Sequence, residues 1–403
     1  MKKAVKHKIG VGGVVISPYA KKLVNRVLDS GRISYGPFLQ KFEEGFARLC
    51  DRKFAISANS GTSALQVALQ AMKELYGWED GDEVLIPAVT FVATANIVIH
   101  NGMKPIFVDV DPRTYNINPS LVTAKISKRT RAIIPVHLFG LSSDMEDIMS
   151  LARKHNLKVI EDSCETVGVT YKGKPVGSRG DISCFSTYMA HLVTTGVGGL
   201  VLTNDAKVAV KVRSLVNHGR DSIYFSIDDD KGVSGKARLV MASRRFSFES
   251  IGHSFRLTEL EGALGVAQLK ELPHNIRFRQ RYASYLVRAL APLKIFLQFP
   301  YIPRHSDHAF MVFPLVIKDK RISRDDLIYW LENRGVETRY MSPMINQPVY
   351  RRLFGDLEPK YPVAAYINKN GFYIGCHPEI AREDGNRVIK AFHDFFHKYR
   401  DKR

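Results

Sequence analysis

The sequence has few cysteines and no long apolar run, and each shortage argues against a class of protein. Its 403 residues include four cysteines, Cys50, Cys164, Cys184 and Cys376, no two of which form a C-x-x-C pair. This spacing argues against a zinc or disulfide framework and indicates free thiols in a reducing compartment. No apolar run approaches the ~18 residues that span a membrane, and glycines interrupt the short run at residues 9–16. We therefore predict a cytoplasmic protein with no signal peptide, membrane segment or bound metal.

Acidic residues are scarce relative to basic ones, so the chain carries a net charge of +19 from 59 Lys and Arg against 40 Asp and Glu. Such an excess attracts anions, whether nucleic acid, a membrane surface or a phosphorylated small molecule. The basic residues are scattered and form no long run. We therefore expect an anionic small substrate and no nucleic-acid partner.

Strand patterns alternate with helix patterns through the first half of the chain. This alternation predicts an α/β fold with a mainly parallel sheet and helices on both faces. Ligands of such sheets bind at the carboxyl ends of the strands, where the polar motifs below lie. The predicted strands are residues 54–58, 83–87, 106–109, 132–137, 158–162, 182–186 and 200–203.

The regular pattern weakens at residues 219–250, which contain three consecutive aspartates at 228–230 together with glycines and serines. We predict a long loop there, mobile or ordered by a partner subunit. From about residue 280 a different order of helices and strands predicts a smaller α/β domain. We divide the chain into a large domain, residues 1–275, and a small C-terminal domain, residues 276–403.

The first polar motif, N-S-G-T-S-A-L at residues 59–65, follows a predicted strand and opens a predicted helix. Free amides and the helix dipole at such a point form a seat for a phosphate group. An ordinary helix with a serine or threonine cap has the same pattern. The motif alone leaves both interpretations open.

Two further motifs follow later strands. At residues 90–94, Phe91 offers a flat face that suits a planar heterocycle, although a plain core phenylalanine fits as well. Residues 159–165 end a buried strand in Asp162 and include Glu165. A buried carboxylate needs a partner, and a protonated pyridine nitrogen is one candidate. A helix cap or an exposed loop acid is the structural alternative.

A fourth stretch, D-I-S-C-F-S-T-Y-M-A-H-L-V-T-T-G-V-G-G at residues 181–199, joins two predicted strands. Its small residues allow close approach of backbone or of a phosphate group. With the other motifs it resembles the cofactor-lysine segment of the DegT/DnrJ/EryC1/StrS family of pyridoxal-phosphate sugar aminotransferases, S-F-x-x-x-K-x-x-T-T-G-E-G-G. Ser186 matches the serine, whereas His191 stands at the lysine and Val197 at the glutamate. Residues 252–259 resemble the family string G-Y-N-Y-R-M-T-E.

The resemblance extends from about residue 8 to residue 397. It implies fold type I, with a mainly parallel seven-stranded sheet, a small C-terminal domain and a homodimer that shares its active sites. It also implies pyridoxal 5′-phosphate or pyridoxamine 5′-phosphate as the cofactor. The implied cofactor-binding residues are Gly61, Thr62, Ser63 and Ser186 at the phosphate, Phe91 and Asp162 at the ring, Glu165 at the phenolic oxygen, and Ser254, in place of the family's asparagine, at the phosphate of the neighbouring subunit.

The histidine at position 191 is the main clue to function. A lysine there would bind the cofactor covalently. Histidine forms no such bond, but it can accept or donate a proton near neutral pH. The family's nucleotide-sugar 3-dehydratases carry this replacement in a P-A-H string, which residues 189–191 resemble as M-A-H, and their F-W-I-G-x-Y-P string resembles residues 372–378. The resemblance implies a dehydratase acting at C3 of a nucleotide-linked 4-keto-6-deoxy sugar, with glutamate as amino donor and His191 as catalytic base.

Two alternatives stay open. One is an aminotransferase that uses a lysine from elsewhere, Lys172 and Lys174 being nearest in sequence. The other is a degraded family member with a binding or regulatory role. The dehydratase branch usually carries S-G-S-S-A-N at the phosphate loop and keeps the glutamate that is Val197 here, so this chain departs from it at two points. One relative in the branch holds an iron–sulfur cluster with clustered cysteines, which this chain lacks, and we expect no cluster.

Overall fold

The computed structural model describes residues 8–221, 232–244, 246–341 and 344–400, which form two main sheets and a set of covering helices. Within these ranges no helix is both long and apolar enough to cross a membrane. The strands are β1 Phe54–Ala58, β2 Glu83–Pro87, β3 Lys104–Val108, β4 Thr130–Ile133, β5 Lys158–Asp162, β6 Thr170–Tyr171, β7 Lys174–Pro175, β8 Ile182–Ser186, β9 Gly199–Thr203, β10 Leu297–Gln298, β11 Val312–Ile317, β12 Thr338–Tyr340 and β13 Gly371–Gly375.

The helices lie between and around these strands. They are α1 Pro18–Ser30, α2 Pro37–Leu49, α3 Gly61–Tyr76, α4 Ala93–His100, α5 Pro119–Val122, α6 Met145–His155, α7 Ala206–Val216, α8 Gly235–Arg244, α9 Glu259–Ala289, α10 Arg324–Glu332, α11 Pro348–Phe354, α12 Pro362–Asn370 and α13 Arg382–Arg400.

The large sheet has seven strands in the order β1-β9-β8-β5-β4-β2-β3. β9 runs antiparallel to both of its neighbours, and the other pairs are parallel. The predicted α/β fold with a mainly parallel seven-stranded sheet is therefore confirmed. Because the parallel strands point the same way, the chain segments that follow β1, β2, β5 and β8 emerge at one edge of the sheet.

The small sheet is antiparallel throughout, in the order β10-β11-β13-β12. The 31-residue helix α9 connects the two sheets. Its first half packs on α1 and α2, whereas Tyr282, Ala283 and Leu286 join the apolar core of the small sheet. The division predicted between residues 275 and 276 falls inside this continuous helix.

The helix ends follow the capping residues of the sequence. α3 begins after Ser60, whose Oγ accepts the Ser63 amide at 3.0 Å, and ends at Gly77 with φ of 64°. α9 begins with a capping box in which Thr258 and Glu261 satisfy each other's backbone amides. The carboxylate of Glu259 then accepts the amides of Phe38 and Leu39, which fixes the start of α2 against α9.

The prediction of a long loop at residues 219–250 is wrong in part, because α8, Gly235–Arg244, lies inside this segment. The α8 sequence G-K-A-R-L-V-M-A-S-R is rich in residues with high helix propensity, and the glycines and serines around it obscured this short run. The aspartates at 228–230 and Arg245 lie outside the described residues.

The strand β5 is fixed by a buried ion network around Glu161, the residue before Asp162. The Glu161 carboxylate lies 2.9 Å from His137 Nε2 and 3.4 Å from Arg52 Nη2, and accepts the amides of Arg179 and Gly180. Burial alone would raise the pKa of Glu161, but these hydrogen bonds and charges outweigh burial and lower it. The network holds the end of β5, and thereby the backbone of Asp162, in one position.

Candidate active site

The first and last polar motifs meet at the carboxyl edge of the large sheet. A Cβ atom added to Gly61 would lie 2.6 Å from Cβ of Ser186 and 2.9 Å from Sγ of Cys164. Only glycine allows this close approach between the start of α3 and the end of β8. The result is a cradle of small residues at a helix N-terminus, a position at which backbone amides commonly bind a phosphate group.

Two of the polar groups at the start of α3 form hydrogen bonds with each other. The Ser63 amide donates to Ser60 Oγ, as the ordinary-cap interpretation expects, and the Ser60 hydroxyl donates to Ser63 Oγ at 2.9 Å. Thr62 is exposed at the helix end. Ser63 thus serves the helix cap in this structure, and Gly61 with Ser186 forms the cradle.

Asp162 is buried at the end of β5 with two neutral donors. Its Oδ2 accepts the Thr94 hydroxyl at 3.0 Å and its Oδ1 accepts the Cys164 amide at 3.2 Å. Burial raises the pKa of Asp162 above its ordinary value, because these hydrogen bonds do not compensate fully for the loss of water. A cation placed against this carboxyl group would stabilise its charged form, as a protonated pyridine nitrogen does.

Phe91 and Glu165 lie on the two segments that follow β2 and β5. Phe91 is 61% exposed, so it is not the core residue of the structural alternative. Glu165 accepts the Phe139 amide at 2.8 Å through Oε2. Burial raises the pKa of Glu165 to about 7, and the nearby Asp162 charge acts in the same direction. Near neutral pH a fraction of Glu165 is therefore protonated and able to donate a hydrogen bond.

His191 lies in the turn between β8 and β9. Its amide donates to the Tyr188 carbonyl at 2.9 Å, and the hydroxyls of Thr187 and Thr195 lie 2.6 Å apart across the base of the turn. Its Nδ1 is buried and has no hydrogen-bond partner among the described residues. Burial lowers the pKa of His191 to about 4, so the ring is neutral at pH 7. A neutral imidazole has one nitrogen lone pair that can accept a proton.

Ser254 is not brought into contact with the residues above. Its side chain is exposed and accepts a hydrogen bond from Arg256 Nη2 at 3.0 Å. Its neighbour Phe255 accepts the Asn59 amide at 2.7 Å, so the 252–259 segment runs beside the start of α3. Val197, at the family's glutamate position, is exposed and apolar.

The two lysines considered as substitutes for the missing one are engaged elsewhere. Lys172 pairs with Glu146, and Lys174 Nζ lies 3.8 Å from a carboxylate oxygen of Asp51. Both belong to the exposed hairpin of β6 and β7. The structure thus gives no support for either lysine as a covalent anchor.

Sequence reasoning assigned no role to Thr94, Cys164 or Arg279. The first two lie inside motifs quoted above, so their positions are visible in the sequence, although the atoms to which they donate are not. Arg279 is a buried residue of α9 whose charge lowers the pKa values of His191 and His377, after the larger effect of burial. No sequence motif marks it.

These residues fit a pyridoxal-phosphate cofactor by several independent features. Gly61 and Ser186 leave a cradle for the phosphate, Phe91 exposes an aromatic face, and Asp162 offers a buried carboxyl group without a cationic donor. His191 adds a neutral imidazole whose Nδ1 has no hydrogen-bond partner in the described part of the chain.

Comparison with known proteins gives consistent matches over most of the chain. Residues 16–393 match the DegT/DnrJ/EryC1/StrS aminotransferase family. The chain is 36% identical over 360 residues to GDP-perosamine synthase from Caulobacter vibrioides, covering 89% of this chain and 90% of that protein. It is 30% identical over 384 residues to dTDP-4-dehydro-2,6-dideoxy-D-glucose 3-dehydratase from Saccharopolyspora spinosa, covering 91% of this chain and 82% of that protein. An aminotransferase structure from Psychrobacter cryohalolentis has a TM-score of 0.87 at 31% identity, covering 97% of this chain and 99% of that one.

Proposed function

The chain belongs to the DegT/DnrJ/EryC1/StrS aminotransferase family, and from that premise we propose that it is a 3-dehydratase of nucleotide-linked 4-keto-6-deoxy sugars. It is an enzyme that uses pyridoxal or pyridoxamine phosphate. When bound, this cofactor supplies an electron sink for carbon–hydrogen and carbon–oxygen bond cleavage. The observation that carries the proposal is His191, which stands where a covalent anchor requires a lysine.

The chain's own residues have separate roles in this proposal. Gly61 and Ser186 would hold the phosphate, Phe91 would offer its face to the ring, and Asp162 would keep the ring nitrogen protonated. His191 would accept one proton next to the reacting carbon, since its ring is neutral at pH 7. Glutamate would supply the amino nitrogen and two electrons and leave as 2-oxoglutarate. The sugar would exchange its C3 hydroxyl for hydrogen, and hydrolysis would return the C4 ketone and release the nitrogen as ammonia.

Amino transfer is the second candidate, and the relative named GDP-perosamine synthase favours it. Among the features that argue against it are the positions of Lys172 and Lys174, whose amines pair with Glu146 and Asp51. The relative named as a 3-dehydratase, which is 30% identical to this chain, supports the first candidate.

We expect purified protein with glutamate and the correct nucleotide 4-keto sugar to release a product lighter than the substrate by one oxygen atom, with no nitrogen retained, together with 2-oxoglutarate and ammonia. Mass spectrometry of products across a panel of such sugars is the measurement. Borohydride treatment of the cofactor-loaded protein should leave its intact mass unchanged, because histidine forms no reducible imine. A stable amino sugar, or a stoichiometric adduct on one lysine, would establish amino transfer instead. No turnover of any keto sugar would favour a binding role.

We also propose a homodimer whose subunits complete each other's sites. Large apolar side chains are exposed between residues 239 and 251, among them Leu239 at 72%, Phe246 at 81% and Ile251 at 90%. Exposed apolar side chains concentrated in one short segment are typical of a protein interface. Light scattering at micromolar concentration should give the mass of two chains, and Ile251→Glu should raise the dimer dissociation constant at least about tenfold. The matched control is Tyr329→Glu, a substitution of an exposed aromatic on α10. A fully active wild-type monomer would contradict the proposal.

A further inference from the structure

A cavity of about 470 Å³ lies between the second half of α9 and residues 300–310, the segment that leads into β11. This volume falls in the range of about 300 to 1,000 Å³ that small-molecule sites occupy. None of the described residues that line the cavity belongs to the candidate active site. The cavity is therefore a candidate for a second ligand site.

Apolar side chains line the cavity from both of its sides. Ala283 and Val287 lie one turn apart on α9, and the 300–310 segment contributes an equally apolar set, Pro300, Ile302 and Phe310. A ligand with an apolar part is stabilised there, because its binding removes apolar surface from water on both partners.

His308 also lines the cavity and is only 4% exposed. Its Nδ1 accepts the Phe310 amide at 2.9 Å, and its ring stacks on that of Phe310 with the centroids 3.9 Å apart. Burial lowers the pKa of His308 to about 3, so at pH 7 the ring is neutral and its single proton is on Nε2. Nε2 has no hydrogen-bond partner among the described residues, yet it keeps accessible surface. His308 therefore offers a hydrogen-bond donor whose position is fixed by the stacked ring.

Two exposed side chains of opposite charge, Arg288 and Asp307, line the same cavity. Neither forms an ion pair, with the other or with any other residue of the described ranges. Asp307 accepts the amide of Thr170 at 3.2 Å and the Thr170 hydroxyl, both through Oδ2, so Oδ1 has no hydrogen bond there. A ligand with one charge would pair with only one of these groups, and a purely apolar ligand would desolvate both at a cost.

We propose that this cavity binds an α-amino acid with an apolar side chain. The carboxylate of such a zwitterion pairs with Arg288 and accepts the Nε2 proton of His308, and its ammonium group pairs with Asp307 Oδ1. Its side chain lies between Val287 and Ile302. One small molecule thus supplies a partner for each of the three polar groups and an apolar body for the walls. The site is independent of the proposed dehydratase reaction.

Three small molecules that share a phenyl group test whether both charges are recognised. L-Phenylalanine carries both charges, 3-phenylpropionate lacks the ammonium group, and 2-phenylethylamine lacks the carboxylate. The protein is loaded with pyridoxamine phosphate, which forms no imine with an amino acid, and ligand-observed nuclear magnetic resonance titrations give the dissociation constants. We expect about 1 mM or below for L-phenylalanine. Each analogue should bind about five- to tenfold more weakly, the usual effect of one charge-assisted hydrogen bond at a partly exposed position.

Substitutions in the cavity assign each charge to its partner. Arg288→Gln should weaken binding of L-phenylalanine and 3-phenylpropionate and leave 2-phenylethylamine within about twofold of wild type. Asp307→Asn, which keeps an oxygen for Thr170, should weaken binding of L-phenylalanine and 2-phenylethylamine and spare 3-phenylpropionate. Ser284→Trp, at an exposed lining position of α9, should fill the cavity and weaken binding of all three at least about tenfold. The matched control is Arg281→Gln, an exposed α9 arginine that does not line the cavity, and it should bind all three normally.

Several results would overturn the proposal. The first is a wild-type protein that shows no saturable binding of L-phenylalanine at about ten times the expected dissociation constant. Equal binding of the three molecules would exclude recognition of a zwitterion. Displacement of L-phenylalanine by excess glutamate, or unchanged binding in the folded variants, would place its binding site outside this cavity. Circular-dichroism melts identify any variant that does not fold, and each remaining variant tests the assignment by itself, because each affects a different set of ligands.

Discussion

Replacing Asp162 with alanine is expected to lower turnover by about 100- to 1000-fold, which is the usual loss when one group aimed at a developing charge is removed. Its carboxylate is placed to keep the ring nitrogen of the cofactor protonated, and without it the ring accepts electrons poorly. The fold should survive. Thr94 loses its hydrogen bond to Asp162 but has Thr90 Oγ1 as another partner at 2.9 Å. The main structural cost is that the Cys164 amide loses its acceptor.

Two further variants identify the cause of the loss. Asp162→Asn keeps the size of the side chain and an acceptor for Thr94 but removes the charge, so its turnover should fall as far as that of the alanine variant. Asp109 is also a buried acid, and it accepts the amides of Val363 and Ala364 at the start of α12. Asp109→Asn should lower thermal stability and leave kcat within about threefold. Steady-state kinetics and circular-dichroism melts measure both effects. Near-normal turnover of Asp162→Ala would make this carboxylate structural.

The large sheet could be predicted from the sequence because each of its strands is a short apolar run bounded by polar or small residues. The runs at 54–58, 83–87, 158–162 and 182–186 coincide with β1, β2, β5 and β8. Their carboxyl ends carry the polar motifs, so the edge of the sheet that holds the site was predictable too. The strand predicted at 132–137 is placed too far along the chain, because the structure has β4 at Thr130–Ile133 and turns the chain before His137.

Contacts between residues far apart in sequence could not be predicted in this way. Glu161, His137 and Arg52 form one buried network, but they lie on separate segments and no spacing connects them. His377 and Gly10 are 367 positions apart, and only the folded chain shows that this histidine, two residues after β13, contacts the N-terminal segment. Likewise, a sequence shows that His191 replaces a lysine but not that its Nδ1 is buried without a partner.

Replacing His191 is expected to separate cofactor binding from proton transfer. His191→Asn should bind pyridoxamine phosphate with an affinity close to that of wild type, since Gly61, Ser186, Phe91 and Asp162 are unchanged. It should no longer exchange the cofactor's C4′ hydrogen with deuterated water in the presence of substrate, a loss of about 100- to 10,000-fold for a missing general base. His191→Lys should gain a borohydride-reducible link to the cofactor and lose most dehydration. Mass spectrometry of the protein and the cofactor reads both outcomes, and exchange at the wild-type rate in His191→Asn would assign the base elsewhere.

The pH dependence of that exchange tests the burial of His191 directly. A protonated imidazole cannot accept a proton, so the exchange rate falls when the pH drops through the pKa of the ring. An unperturbed histidine would give this fall at about 6.5. Because burial lowers the pKa of His191 to about 4, we expect the rate to stay level from pH 8 down to about 5 and to fall below that. A mid-point near 6.5 would show that water or a charged group reaches Nδ1 in the working enzyme. The ring would then be a solvated base, and the catalytic advantage of a buried, permanently neutral acceptor would not apply.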